Sequence, residues 1–230
     1  LSLGFTDGDA PLGCAIAYDT RHNSRRFAAL CAEVMVANGF RVCFFDGFRA
    51  TPELSFSVRA LGCSCGIMVS ASHNPPSDNA VKVFWSTGGQ LKPPHDAGVI
   101  ERVMQVEEVR RVPFTDAVAD AGITYCQERM DGAYRQAVLE QSFAGPRALK
   151  ILYSPLHGVG LTSVLPVLQA DGFEEIEVFA PHGEPNGDFP NVPGNIANPE
   201  NPRVFDAPIE HAVQISADVI LASDPDADRL

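Results

Sequence analysis

The chain has 230 residues, of which 45% are hydrophobic and 20% charged, ordinary values for a soluble globular protein of one large or two smaller domains. A formal net charge of −12 argues against nucleic-acid binding by phosphate neutralisation, and no apolar run approaches the roughly 20 residues that span a bilayer. No segment has the charged start, apolar middle and small-residue end of a secretory signal, so the reading is of a cytoplasmic protein with neither a membrane nor a nucleic-acid partner.

Strand and helix patterns alternate along the chain. Residues 13–18 form a short apolar run ending at Asp19 and predict a buried strand. Ser24 is placed to cap the next segment, where Phe27, Leu30, Cys31, Val34 and Met35 recur at helical spacing and Gly39 closes the helix. Residues 42–45 predict a second strand. Thr51-Pro52-Glu53 opens a second helix with Leu54, Val58 and Leu61 on one face. Residues 66–69 predict a third strand that runs into Ser70-Ala71-Ser72-His73-Asn74-Pro75-Pro76, and residues 81–85 a fourth, followed by a turn at Gly88-Gly89. Helices are expected near 95–105 and 130–140, with 106–129 unassigned. A second unit starts near 148: strand 150–153, helix 161–170, strand 176–179, a long Pro-, Gly- and Asn-rich loop over 180–201, helix 203–215 and strand 218–222. The last strand leads into Asp224-Pro225-Asp226-Ala227-Asp228-Arg229. This order predicts α/β layers with parallel or mixed sheets, in which ligands sit beyond the carboxyl ends of strands. Residues 1–4 read like the tail of a helix, and Leu230 directly follows the acidic loop, so the chain reads as a piece of a longer one.

Six cysteines (14, 31, 43, 63, 65 and 126) read as small buried hydrophobes in a reducing compartment, because the close pair Cys63 and Cys65 lacks the partner spacing of a zinc site. Ser72 offers a hydroxyl at a strand end, held by a proline-restricted turn. Taken alone, it reads more readily as a surface turn. A Ser72–His73 hydrolase dyad is not expected, since adjacent side chains tend to diverge. Asp224, Asp226 and Asp228 can converge oxygens on Mg²⁺ or Ca²⁺, although Arg229 stands where a calcium loop needs glycine and a solvated acidic turn is the alternative. Arg21 and Lys82 can face the strand-end crevice and hold a phosphate, Arg21 bidentately, but each is individually compatible with an exposed charge. His157-Gly158-Val159-Gly160 at a strand–helix junction reads equally as an amide cradle for an anion or as a tight connection.

Together, Ala-Tyr-Asp-Thr-Arg at 17–21, Ser-Ala-Ser-His-Asn-Pro-Pro at 70–76, Ser-Pro-Leu-His-Gly-Val-Gly at 154–160 and Asp-Pro-Asp-Ala-Asp-Arg at 224–229 resemble the α-D-phosphohexomutase superfamily, in the family's order and over essentially the whole chain. Arg-His-Asn-Ser-Arg at 21–25, Pro-Pro-His-Asp at 93–96 and Glu-Pro-Asn-Gly-Asp-Phe-Pro at 184–190 resemble the subgroup of bacterial phosphoglucomutases and phosphopentomutase-like members. The resemblance implies the first two α/β domains of a four-domain enzyme, here 1–146 with the phosphoserine loop and 147–230 with the metal loop. It implies that Ser72 carries the phosphoryl group, that Asp224, Asp226 and Asp228 with a phosphoserine oxygen bind Mg²⁺, and that Arg21, Lys82 and His73 support phosphoryl and proton transfer. Arg229 and His157 would support substrate or phosphate. The implied partners are a phosphorylated sugar and a sugar bisphosphate, with interconversion of sugar 1- and 6-phosphates, glucose foremost. A phosphopentomutase, a sugar-bisphosphate synthase and a non-catalytic phosphosugar- or metal-binding module are the alternatives. Ala80 and Pro225 depart from the family's usual glycines without removing a ligand. The regions that read the sugar in this family lie outside the 230 residues, so the preferred sugar is not legible here.

Overall fold

The computed structural model describes residues 12–230; the helix-tail reading of residues 1–4 lies outside them. The first sheet has five strands in the order β4-β3-β1-β2-β5: β1 Gly13–Tyr18, β2 Arg41–Phe44, β3 Cys65–Val69, β4 Val81–Trp85 and β5 Ile123–Tyr125. All neighbours are parallel except β4, which runs antiparallel to β3. The central strand β1 is apolar at every position because both of its faces are covered. Cys14, Ile16 and Tyr18 pack towards α1 (Ser24–Ala37) with Ala28 and Ala32, whereas Ala15 and Ala17 pack towards α2 (Thr51–Ala60) with Leu54 and Val58. Gly66 on β3 admits α2 closely: a Cβ there would lie 2.4 Å from Val58 Cγ2.

The second sheet is parallel, in the order β7-β6-β8, from β6 Ile151–Ser154, β7 Ile176–Val178 and β8 Val219–Ala222. Its helices are α6 (Gly160–Ala170) and α7 (Asp206–Ile215). In the chain, α3 (His95–Met104), α4 (Phe114–Ala119) and α5 (Gln127–Leu139) come between β4 and β6. Helix α5 packs against both α2 and α6 and so touches each unit.

One expectation needs correcting, and two stretches gain structure. Ser24 begins α1 but does not cap it: Asn23 holds the cap position in the left-handed region, and the Ser24 hydroxyl donates to Asp19 Oδ1 at 2.7 Å. The unassigned stretch 106–129 contains α4 and the edge strand β5, both too short for periodicity to reveal. The long loop 180–201 is packed. Two 3-10 turns, Ala180–His182 and Pro193–Asn195, flank Phe189, and Phe189, Val192 and Ala197 form a small core with Leu156 and Ala222. No helix among the described residues is long and apolar enough to cross a membrane.

Candidate active site

The carboxyl ends of β1, β3, β6 and β8 converge, bringing Arg21, Ser72, His157 and the 224–228 loop to one place. Ser72 is the third residue of the loop after β3, at φ 52°, a left-handed conformation that an L side chain adopts only when its surroundings enforce it. The enforcement is visible. The Ser72 amide donates to Ser70 Oγ at 2.9 Å, and Arg21 grips the loop from beneath. Arg21 Nη2 donates to the carbonyls of Ser72 (2.6 Å) and Asn74 (2.5 Å), and Nη1 to those of Pro75 (2.8 Å) and Asp78 (3.1 Å). Its Nε faces Asp19 Oδ2 at 3.4 Å, and its guanidinium lies 5.0 Å from the centre of the Phe189 ring.

The expectation that Arg21 presents a free fork to a phosphate is therefore corrected. Arg21 is buried, and its guanidinium is spent on four carbonyls. An arginine suits this duty because one planar, permanently charged group carries five fixed donors. His157 is corrected likewise. Its buried ring meets the carbonyls of Glu184 (2.7 Å) and Pro190, so both ring nitrogens are occupied in fastening the 184–190 loop. Its neighbour Gly158 is pressed against Pro225, where a Cβ would lie 2.5 Å from the proline Cα. The segment is thus a tight connection that seats the acidic loop.

Ser72 Oγ donates to Asp224 Oδ2 at 3.1 Å, across the two sheets. His73 Nδ1 is 3.3 Å from the same hydroxyl, so the two neighbouring side chains do converge, contrary to the expectation from the sequence. Burial and then the charge of Arg229 hold the His73 imidazolium below its ordinary range. Asp224 Oδ1 accepts the amides of Asp228 (3.1 Å) and Arg229 (3.2 Å), which orients the carboxylate.

Asp224, Asp226 and Asp228 place one oxygen each within 4.8 Å of one another. Lys82, on β4, reaches Asp226 Oδ2 at 2.7 Å and Asp228 at 3.5 Å, and Thr51 Oγ1 donates to the same Asp226 oxygen at 2.6 Å. Burial, reinforced by Asp226 and Asp228, pushes Asp224 up to about 8. Burial acts the same way on Asp226, but Lys82 and the Thr51 hydroxyl outweigh it and hold that carboxyl below its ordinary range. Asp226 Oδ1 is buried and meets no donor. Three hard oxygen ligands, one of them unpartnered, fit a small divalent cation. Arg229 turns outward to Glu200 at 2.8 Å, with Nε 3.9 Å from Asp228.

The site also contains residues that sequence reasoning missed. Thr51, Phe189 and Gly187 all act at the junction between units: a Cβ on Gly187 would lie 2.7 Å from the amide nitrogen of His22. The long loop beginning at Ala180 was the available signal, since such loops are often functional.

Two family models match the chain: phosphoglucomutase/phosphomannomutase, alpha/beta/alpha domain I, over residues 9–110, and domain II of the same family over 132–230. A probable phosphoribomutase of Schizosaccharomyces pombe is 35% identical over 96% of this chain and 38% of its own length. A phosphoglucomutase of Staphylococcus epidermidis is 35% identical over 100% of this chain and 43% of its own. Among solved structures, a phosphoglucomutase/phosphomannomutase family protein from Burkholderia thailandensis superposes with a TM-score of 0.73 at 20% identity, covering 94% of this chain and 44% of that one. The open form of pp63/parafusin from Paramecium superposes at 0.63 with 17% identity, covering 96% and 45%. These last two likenesses concern the fold alone. The chain spans about two fifths of the length of the curated relatives it matches, and over that span it belongs to the phosphoglucomutase/phosphomannomutase family, carrying both alpha/beta/alpha domains I and II.

Proposed function

We propose that the protein carrying this chain is a sugar phosphomutase in which Ser72 is the phosphoryl carrier, and that this chain supplies the phosphoryl-transfer part of its site. The observation that carries the reading is the 3.1 Å contact between Ser72 Oγ and Asp224 Oδ2, which sets a hydroxyl against a carboxylate of a cation-binding triad. Asp224, Asp226 and Asp228 would hold Mg²⁺, which neutralises charge on a transferring phosphoryl group when bound.

The chain's own groups do the rest. A serine hydroxyl is a weak nucleophile and must lose its proton to a neighbour as it attacks. Asp224 Oδ2 and His73 Nδ1 are the two acceptors within reach. Arg21 fixes the hydroxyl's position through the loop carbonyls, and Lys82 counters the triad's charge next to the point of transfer. In the reverse sense, phosphorylated Ser72 gives its phosphoryl group to a free hydroxyl of a sugar monophosphate. The resulting bisphosphate turns over and returns its other phosphate to Ser72.

Glucose phosphates are the first choice of substrate, supported by the relatives named phosphoglucomutase; the relative named phosphoribomutase supports a pentose phosphate as the second. We place the domain division at 146/147, between the last strand of the first sheet and the first strand of the second.

The test is phosphorylation. Incubating the full-length protein with glucose 1,6-bisphosphate and Mg²⁺ should add one phosphate-sized mass increment that maps to Ser72. Ser72→Ala should abolish both the increment and the interconversion of glucose 1- and 6-phosphates. Near-normal turnover by Ser72→Ala would overturn the assignment.

A further inference from the structure

Outside the candidate site, the sheet carries an unusual concentration of thiols. Cys14 and Cys65 are register partners on the adjacent parallel strands β1 and β3. Partners in register point to the same face, and both pack in the core beneath α1. Neighbouring strands lie about 4.8 Å apart, inside the span of about 4.4–6.8 Å between Cα atoms that a disulfide bridges. Both are free thiols, and Cys14 Sγ donates to the carbonyl of Ala15 at 3.7 Å. They differ in access: Cys14 is fully buried, while Cys65 is only partly so. From this placement we propose that Cys65 and Cys14 form a peroxide-sensitive thiol pair, Cys65 reacting first and Cys14 resolving it to a disulfide between β1 and β3.

The chemistry balances. The Cys65 thiolate attacks one oxygen of hydrogen peroxide, breaking the O–O bond and leaving a sulfenic acid and one water after proton transfer. The Cys14 sulfur then attacks the Cys65 sulfur. The S–O bond breaks, a second water leaves and the S–S bond forms. Two thiols lose two electrons in total, and one peroxide accepts them. The neighbouring Cys14 pulls the Cys65 thiol down against the effect of burial, which favours Cys65 as the first to react, and the Cys14 proton leaves with the departing hydroxide as water. The rival pair is Cys43 and Cys63, where Cys63 pulls the Cys43 thiol down to about 7, but its geometry differs. Cys63 precedes β3 and its Cα lies over Gly13, 3.3 Å from where a Cβ would stand, with no strand register to Cys43 on β2. The bridge would tie together the two strands whose far ends carry Arg21 and Ser72. It does not depend on the phosphomutase reading.

The experiment is to expose the folded protein to hydrogen peroxide, alkylate under denaturing conditions and map the peptides by mass spectrometry. The expected result is a dithiothreitol-reversible loss of two of the chain's six alkylatable thiols, with one cross-linked peptide joining Cys14 to Cys65. In Cys14→Ser, a dimedone adduct should accumulate at Cys65 in place of the bridge. Six alkylated thiols after oxidation, or a predominant Cys43–Cys63 bridge, would overturn the proposal; the wild-type map alone decides this should the variant fail to fold.

Discussion

Arg21 shows how far a residue's identity is from its duty. An arginine after a strand reads as a phosphate ligand, yet the structure turns it under the Ser72 loop, where four carbonyls take its donors. Carbonyl directions are set by loop backbone that no side-chain pattern encodes, so this role was not legible. Lysine offers three donors from one point and cannot span four carbonyls. Arg21→Lys should therefore destabilise the protein by about 2–4 kcal/mol in urea denaturation, the scale of a lost buried charged network. Glu53 gives a second prediction. It is buried on α2, neither carboxyl oxygen meets a donor, and Asp131, bidentate on Arg49 at 2.8 Å to each oxygen, lies within hydrogen-bonding reach. Burial first, and Asp131 second, push Glu53 up from its ordinary 4.5 to about 8. The folded state thus keeps a proton that the unfolded chain releases, so stability falls as pH rises from about 4.5 to about 8. Glu53→Gln should remove much of that fall, on the order of 3 kcal/mol by pH 8.5. Melting curves of both proteins from pH 5 to 8.5 check this, and parallel slopes would refute it. By contrast, the placement of Ser72 and the three aspartates just past strand ends was legible, because each follows a run read as a strand, whereas their roles came only from the family resemblance.

At the scale of elements, the alternation of strands and helices was readable wherever an element was long enough to repeat its period. Helices α1, α2, α6 and α7 and strands β1, β3, β4 and β6 fall within a few residues of their expected bounds. Elements α4 and β5 escaped because six and three residues hold too little of a period. The 180–201 loop escaped for another reason: its order comes from partners distant in sequence. Phe189 is fully buried beneath Arg21, and His22 meets Asp188 at 2.7 Å. Phe189→Leu keeps an apolar side chain but removes the ring face that Arg21 lies over. The expected cost is about 1–3 kcal/mol in thermal or urea unfolding, with Phe189→Tyr losing less. A Phe189→Leu protein as stable as wild type would show that the loop is held without this contact.

At the scale of the whole molecule, the described residues form two sheets that share no strand, yet the candidate site lies where they meet. The sequence announced both halves and their order. It could not announce that Ser72 and Asp224 would stand 3.1 Å apart, because that distance depends on how one unit rests on the other. One contact at this junction has a consequence of its own. The first amide of α2, on Thr51, has no partner within its helix and donates instead to the carbonyl of Asp226 at 2.9 Å. Its hydrogen therefore stops exchanging with solvent only while the acidic loop stays docked. In native-state hydrogen exchange, Thr51 should be protected far beyond an ordinary first-turn amide. Such protection would make this single amide a gauge of how often the two halves part, whereas prompt exchange at Thr51 would mean that they part freely.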